Sequence, residues 1–379
     1  MSSSADRIFI TGMAASTCCG LGKAALFRRL KRGLSSAVAS AQNSKGGGDQ
    51  QSFRFPPITV DISDYVRITR TENELTRQLL AAVACDLHTK LGGISDLDRA
   101  RMGIILGNTS GNYGPYYAFY LAALNEGHQR ANPARFPTTM INYQASELSN
   151  ALGIAGQSTT LSSGVSAGLD AIGHAAMRLR LGKERIILAG GIQEINAHDD
   201  GSNGALLGEA VAIFLLERLD GNDLSGERPP AEILGYASGT AGGSQQLRAC
   251  TERVIGDALC EARLGIEAID AIFPSSNGTI DGESLEANAL RQVFGARVES
   301  IGVFPVKSIV GECLAASGPV QCLAATYAVS EGEAALPLVQ DGTHCGSGSP
   351  QVSSPRCTNA LVLCVGMDGT CAALILGKT

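Results

Sequence analysis

Three turns built from small residues hold the side chains best placed for chemistry. Ser163-Gly164-Val165-Ser166-Ala167-Gly168 leads into an Ala-rich amphipathic run, GLDAIGHAAMRLRLG (168–182), so it sits where helix N–H groups and the helix dipole favour negative charge. Ser275-Ser276-Asn277-Gly278-Thr279 follows a short apolar run, and Lys307-Ser308-Ile309-Val310-Gly311-Glu312 sets a cation and a carboxylate close together. Ser163 or Ser166 beside Glu312 would suit an acyl hydrolase or transferase, but a serine nucleophile needs a base and an oriented hydroxyl, and no His occurs in either motif. Lys307 is expected to pair with Glu312 or with another acid, because charges are rarely buried unless paired; a solvent-facing Lys307 is the plain alternative. Cys313 has no partnered base in its segment and so does not qualify as a nucleophile. Cys18 and Cys19 read as small buried fillers, His174 as a packed or surface residue, and His88 and His128 as residues suited to helix ends.

A second cluster is aromatic. Tyr113, Tyr116, Tyr117 and Tyr120 recur at i, i+3, i+4 and i+7, which gathers them on one face of a helix beginning near Gly114-Pro115. Packing is the ordinary use of such a face; lining an apolar channel is the functional one.

These residues need a scaffold, and the rest of the chain describes one. Apolar strand patterns at 7–13, 101–111, 185–191 and 211–219 alternate with helical patterns at 24–33, 71–93 and 168–182, which predicts an α/β fold with buried sheets. Thr71 and Glu74 have capping-box spacing at the start of the second helix. The polar Gly-rich run 41–52 and the Gly-Ser-Pro-rich run 341–356 read as loops. Three segment pairs recur in the same order: 93–111 with 265–279, 159–179 with 306–326, and 185–194 with 360–369, which argues for duplication of one α/β unit. We place the halves at 1–230 and 231–379. With 379 residues, 44% of them hydrophobic, 17% charged and 46 Gly, the composition is that of a globular α/β protein. A net charge of −6 argues against nucleic acid or an anionic membrane as partner, and no apolar stretch is long enough to span a bilayer. The N-terminal MSSSADRIFITGM lacks the order of a signal peptide, and the 11 Cys, scattered without a CxxC pair, predict reduced thiols in the cytoplasm. Metal is not expected: only five His occur, and only the isolated His344-Cys345 brings His beside Cys.

A duplicated α/β unit with Gly-rich turns at equivalent strand ends resembles the thiolase-like fold, a layered α-β-α-β-α sandwich. Within it, the chain resembles the β-ketoacyl-ACP synthases, the condensing enzymes. RIFITGMAASTCCGLG is similar to their opening strand, GLDAIGHAAMRLRLGKERIILAGG to their nucleophile helix and next strand, and LLGEAVAIFLLERL to their Gly-Glu-Gly-Ala segment with Ala210 for a Gly. VKSIVGECLAASGPVQCLAAT is similar to their lysine-containing histidine loop, and GMDGTCAALIL to their C-terminal Gly-Phe-Gly-Gly-Thr-Asn motif.

That resemblance implies a Cys thiolate at the helix start and two His that polarise a malonyl thioester. Here Val165 falls on the Cys and cannot form a thioester. The first His falls on Asn277 if two residues are deleted downstream, or on Ser275 without a gap. Glu312 falls on the second His, where a carboxylate would repel a developing enolate, and Lys307 keeps the family's lysine. Met367 stands where the family has a gating Phe, and the segment between Glu194 and Gly208 is short, lacking a Phe-Asp-containing loop. The implied protein is a chain-length-factor-type pseudoenzyme without its own activity, in heterodimer with an active ketosynthase. It would use no cofactor, since substrates ride on the phosphopantetheine arm of an acyl carrier protein, and would serve polyketide, polyene or fatty-acid-type elongation. The tyrosine face would then line an acyl tunnel, with Thr138, Thr139 and Met140 of PTTMINYQASE near the partner's pocket. A serine acyl hydrolase or transferase and a homodimeric acyl-binding scaffold are the competing readings.

Overall fold

Strand β1 (Arg7–Thr17) shows why the sheet forms as it does: of its eleven residues only Arg7 is exposed. A strand buried on both faces belongs at the middle of a sheet with layers above and below. The computed structural model describes residues 7–32, 54, 73–109, 111–195, 205–219, 228–333 and 356–379. Within these, the other strands are β2 (Gly20–Leu21), β3 (Gly103–Gly107), β4 (Ser158–Leu161), β5 (Ile186–Gln193), β6 (Ala210–Leu219), β7 (Ala231–Thr240), β8 (Ala271–Phe273), β9 (Gly302–Val303), β10 (Asn359–Val365) and β11 (Thr370–Gly377). The helices are α1 (Lys23–Arg32), α2 (Glu74–Gly92), α3 (Asp96–Arg101), α4 (Tyr113–Glu126), α5 (Tyr143–Leu152), α6 (Ala167–Arg180), α7 (Ser244–Ala262), α8 (Ile280–Phe294), α9 (Lys307–Val310) and α10 (Ser317–Glu331).

The strand order is β4-β3-β5-β6-β1-β7-β11-β10-β8-β9, with β2 on β1. It reads alike from both ends. In each half three strands run parallel and two pair antiparallel, β5 with β6 and β6 with β1 matching β10 with β11 and β11 with β7. The halves meet where β1 pairs with β7, at Phe9↔Glu232 and Ile10↔Ala231. The repeated segments take equivalent places: β3 and β8, β5 and β10, α6 and α10.

Period-two alternation sends each strand's side chains into two different cores. On β6, Ala210, Ala212, Phe214 and Leu216 face the central core, while Val211, Ile213 and Leu215 face an outer core under α2 and α5. On β11, Ala372, Leu374 and Leu376 face the centre, and Cys371, Ala373 and Ile375 face the outer core under α7 and α8. Helices α6 and α10 form the central layer between the two half-sheets, so the layers run α-β-α-β-α as expected. Their approach depends on missing side chains: a Cβ on Gly168 would lie 2.0 Å from the Ala315 carbonyl oxygen.

Several local expectations change. Helix α2 begins at Glu74, and Asn73 caps it by accepting the Thr76 N–H at 2.8 Å. Thr71 lies outside the described residues, as do the 41–52 loop, nearly all of 341–356 with His344-Cys345, and residues 196–204 of the shortened segment.

Candidate functional site

The two central helices begin side by side, each behind a 3-10 turn, Gly164–Ser166 before α6 and Leu314–Ala316 before α10, and the two turns are in contact. The duplicated fold therefore brings the three small-residue turns to one place.

Glu312 is the centre of that place. It is 6% exposed, beside Lys307 at 4%. One carboxylate oxygen accepts from Lys307 Nζ at 2.7 Å and Asn277 Nδ2 at 3.1 Å; the other accepts from Ser317 Oγ at 2.6 Å and the Leu314 N–H at 3.0 Å. Burial opposes charge on Glu312, but Lys307 and the bonds from Ser317 and Asn277 outweigh it and hold the carboxyl below its ordinary range. For Lys307, burial works against the ammonium and Glu312 outweighs it, so its affinity for the proton rises. Of the partners open to Lys307, Glu312 is the acid it meets, and both side chains are buried.

The neighbouring groups are also committed. Ser275 Oγ accepts from Lys307 Nζ at 3.2 Å and the Val365 N–H at 2.9 Å, and donates to the Val365 carbonyl at 3.1 Å. Asn277 Oδ1 accepts from the Thr279 hydroxyl at 2.8 Å and the Thr279 N–H at 3.2 Å. Ser275 and Asn277, the two candidates for one position, thus both touch the Lys307–Glu312 pair. Behind them, burial raises the carboxyl of Glu286 despite bonds from the Ser275 N–H at 2.6 Å and the Ser276 hydroxyl at 2.8 Å.

Val165 is half-buried in the turn ahead of α6. Its N–H donates to Asp368 Oδ2 at 3.1 Å, and its carbonyl accepts from Cys364 Sγ at 3.2 Å. Asp368 and the exposed Met367 lie in the turn joining β10 to β11. The hydroxyls of Ser163 and Ser166 bond Asp170, as does that of Tyr236 at 2.8 Å. One carboxylate, Asp170, thus holds both serine hydroxyls. Cys313 is fully buried, and burial together with Glu312 pushes its thiol well above the ordinary range. The described histidines, His88, His128 and His174, are all exposed, and among the described residues no three His, Cys, Asp or Glu could hold a metal ion.

Asp170, Ser317 and Asp368 escaped the reading of the sequence. Asp170 follows Ser166 by one helical turn, a spacing that could have signalled the contact; Asp368 reaches Val165 only through the fold.

Helix α4 carries no buried residue. Tyr113 stacks on Tyr117 with ring centroids 5.9 Å apart, and Tyr116 lies 4.5 Å from Tyr120. Tyr116, Tyr117 and Tyr120 are each over 40% exposed, as is Met140. Thr138 is half-buried and its carbonyl accepts from Asn112 Nδ2 at 2.6 Å, whereas Thr139 is buried with its hydroxyl on the Phe136 carbonyl at 2.7 Å. No helix among the described residues is long and apolar enough to cross a membrane.

Comparison with known proteins places these features in context. The model of the β-ketoacyl synthase N-terminal domain matches residues 5–196, and that of the C-terminal domain matches residues 230–338. Nodulation protein E of Rhizobium sp. (strain N33) is 25% identical over 364 residues, 86% of this chain and 87% of that protein. The solved ishigamide ketosynthase/chain length factor shares the fold with a TM-score of 0.80 at 20% identity, over 99% of this chain and 100% of the matched one. So does a type II PKS acyl-carrier protein in complex with its ketosynthase bound to the hexaketide, with a TM-score of 0.78 at 17% identity over 99% and 100% of the two chains.

Proposed function

Because the chain belongs to the β-ketoacyl synthase family, we propose that it is the family's non-catalytic kind, a chain-length-factor-type subunit that pairs with an active ketosynthase in the cytoplasm. The observation that carries this reading is Glu312. Condensation needs donors that can turn toward a thioester carbonyl as negative charge builds there. Here Lys307, Asn277, Ser317 and the Leu314 N–H are all turned onto a carboxylate of the chain itself. Val165 supplies no nucleophile in the adjoining turn. The partner would hold the growing acyl chain as a thioester and receive its extender units from an acyl carrier protein. This subunit would contribute the exposed tyrosines of α4, with Thr138 and Met140, to the wall of the tunnel. Residues 1–230 would then supply the degenerate turn and the tunnel helix, and residues 231–379 the loops that close the former active site.

The test is direct. Incubated alone with malonyl-ACP, the purified chain should release no carbon dioxide above background. Co-expressed with a ketosynthase carrying intact Cys, His and His, it should elute as a 1:1 complex that condenses. Strong carbon dioxide release by the pure chain, or no association with such a ketosynthase, would overturn the reading.

A further inference from the structure

The nucleophile turn has a second feature that the loss of Cys does not explain. A backbone N–H at a helix start is an anion seat, and in a thioester-forming site it would face the carbonyl oxygen as that oxygen becomes negative. In this chain the seat is taken. The Val165 N–H donates to Asp368 Oδ2 at 3.1 Å, within the normal range for such a bond. The other Asp368 oxygen accepts from the Thr370 hydroxyl at 2.7 Å and the Thr370 N–H at 3.0 Å, which fixes the carboxylate from its own turn. The turn ahead of α6 is shaped to admit it: Gly164 has φ +73°, and a Cβ there would fall 1.9 Å from Asp368 Oδ2. A Cβ on Gly366 would fall 2.2 Å from Asp368 Oδ1, so the second turn is cleared for the same side chain.

We infer that Asp368 is a built-in plug: its carboxylate occupies the seat of a thioester oxyanion at the Val165 N–H and shuts this site to acyl thioesters independently of the missing thiol. The inference rests on reading the 163–168 turn as a former acyl site, but not on pairing with a ketosynthase.

A thiol restores the missing reactant and isolates the plug. In a Val165→Cys variant, octanoyl-CoA can acylate the new thiol: the acyl carbon–sulfur bond to CoA breaks, one forms to the protein, and CoA leaves as a thiol with the proton the protein thiol gives up. Intact mass follows this rate, and the rate of alkylation by iodoacetamide, which builds no oxyanion, corrects for thiolate content and access. With Asp368 in place, acylation should be slow relative to alkylation. Adding Asp368→Ala should raise the acylation-to-alkylation ratio by about a hundred-fold, the usual worth of one oxyanion donor. Asp368→Asn keeps an acceptor oxygen of the same reach and should stay blocked. An unchanged ratio with Ala, or an Asn variant as fast as Ala, overturns the inference. Should the Val165→Cys variants fail to fold, amide hydrogen exchange at Val165 decides: Asp368→Ala alone should speed it, and unaltered protection overturns the plug. Pairing with a ketosynthase is scored separately by size-exclusion, so each idea can fail without the other.

Discussion

Removing the Glu312 side chain would strip the buried Lys307 ammonium of its carboxylate partner at 2.7 Å. Breaking one side of a buried pair costs about 3–5 kcal/mol, whereas replacing both partners by apolar groups of similar size is often close to neutral. Glu312→Ala should therefore lower the urea midpoint sharply, and Glu312→Leu with Lys307→Met should recover much of the loss. Glu194 gives a second residue-scale prediction. Burial, then the charges of Glu209 and Glu74, raise its carboxyl from 4.5 to about 7, with Arg54 opposing. A raised acid contributes stability that is complete below the unfolded value and lost as pH rises through the folded one. The wild-type melting temperature should fall between about pH 4.5 and 7, and Glu194→Gln should flatten that slope. Glu312 works in the opposite sense, its stabilisation being lost as pH falls. A Glu194→Gln variant with the wild-type slope would disprove the assignment.

Helix α4 can be judged as an element. A ring more than 40% exposed in this chain contributes little to its own core, so removing it should cost far less than the roughly 3–5 kcal/mol of a buried aromatic. Tyr116→Ala or Tyr120→Ala should leave the chain folded and, in complex with an active ketosynthase, lengthen the products, because each further CH₂ that finds apolar cover gains about 0.8 kcal/mol. Thr138→Phe should shorten them. Thr139→Phe is a different experiment, since the buried Thr139 would overpack its surroundings and destabilise by about 1–3 kcal/mol. Product lengths from soluble complexes decide, and unchanged lengths in every variant would make α4 a packing surface. The stripe was legible because helical periodicity is a local property. So were Val165, Lys307 and Glu312, which lie inside contiguous motifs. Strand β7 was passed over because Gly235 and Gly239 withhold side chains from its alternation, although its buried and half-buried residues alternate from Ala231 to Tyr236. Asp368 was passed over because its contact joins residues 203 positions apart.

For the whole molecule, the repeat in sequence was enough to anticipate a doubled architecture, since each recurring segment becomes the same part of a half. What it did not reveal was the seam, because strand pairing between halves is set by packing and leaves no local pattern. That seam has a consequence for how the chain can be threaded. β7 is paired on one side with β1, at Phe9↔Glu232, and on the other with β11, at Gly377↔Glu232. The first and last strands therefore bring Phe9 and Gly377 to opposite flanks of a single residue, two strand spacings or about 10 Å apart. A linker of a few residues can bridge that gap, and a new opening between β6 and β7 would reverse the order of the halves. Such a circular permutant should fold to the same sheet and melt cooperatively. If it does, nothing in the architecture depends on which half leaves the ribosome first; aggregation of the permutant would mean that the first half must template the second.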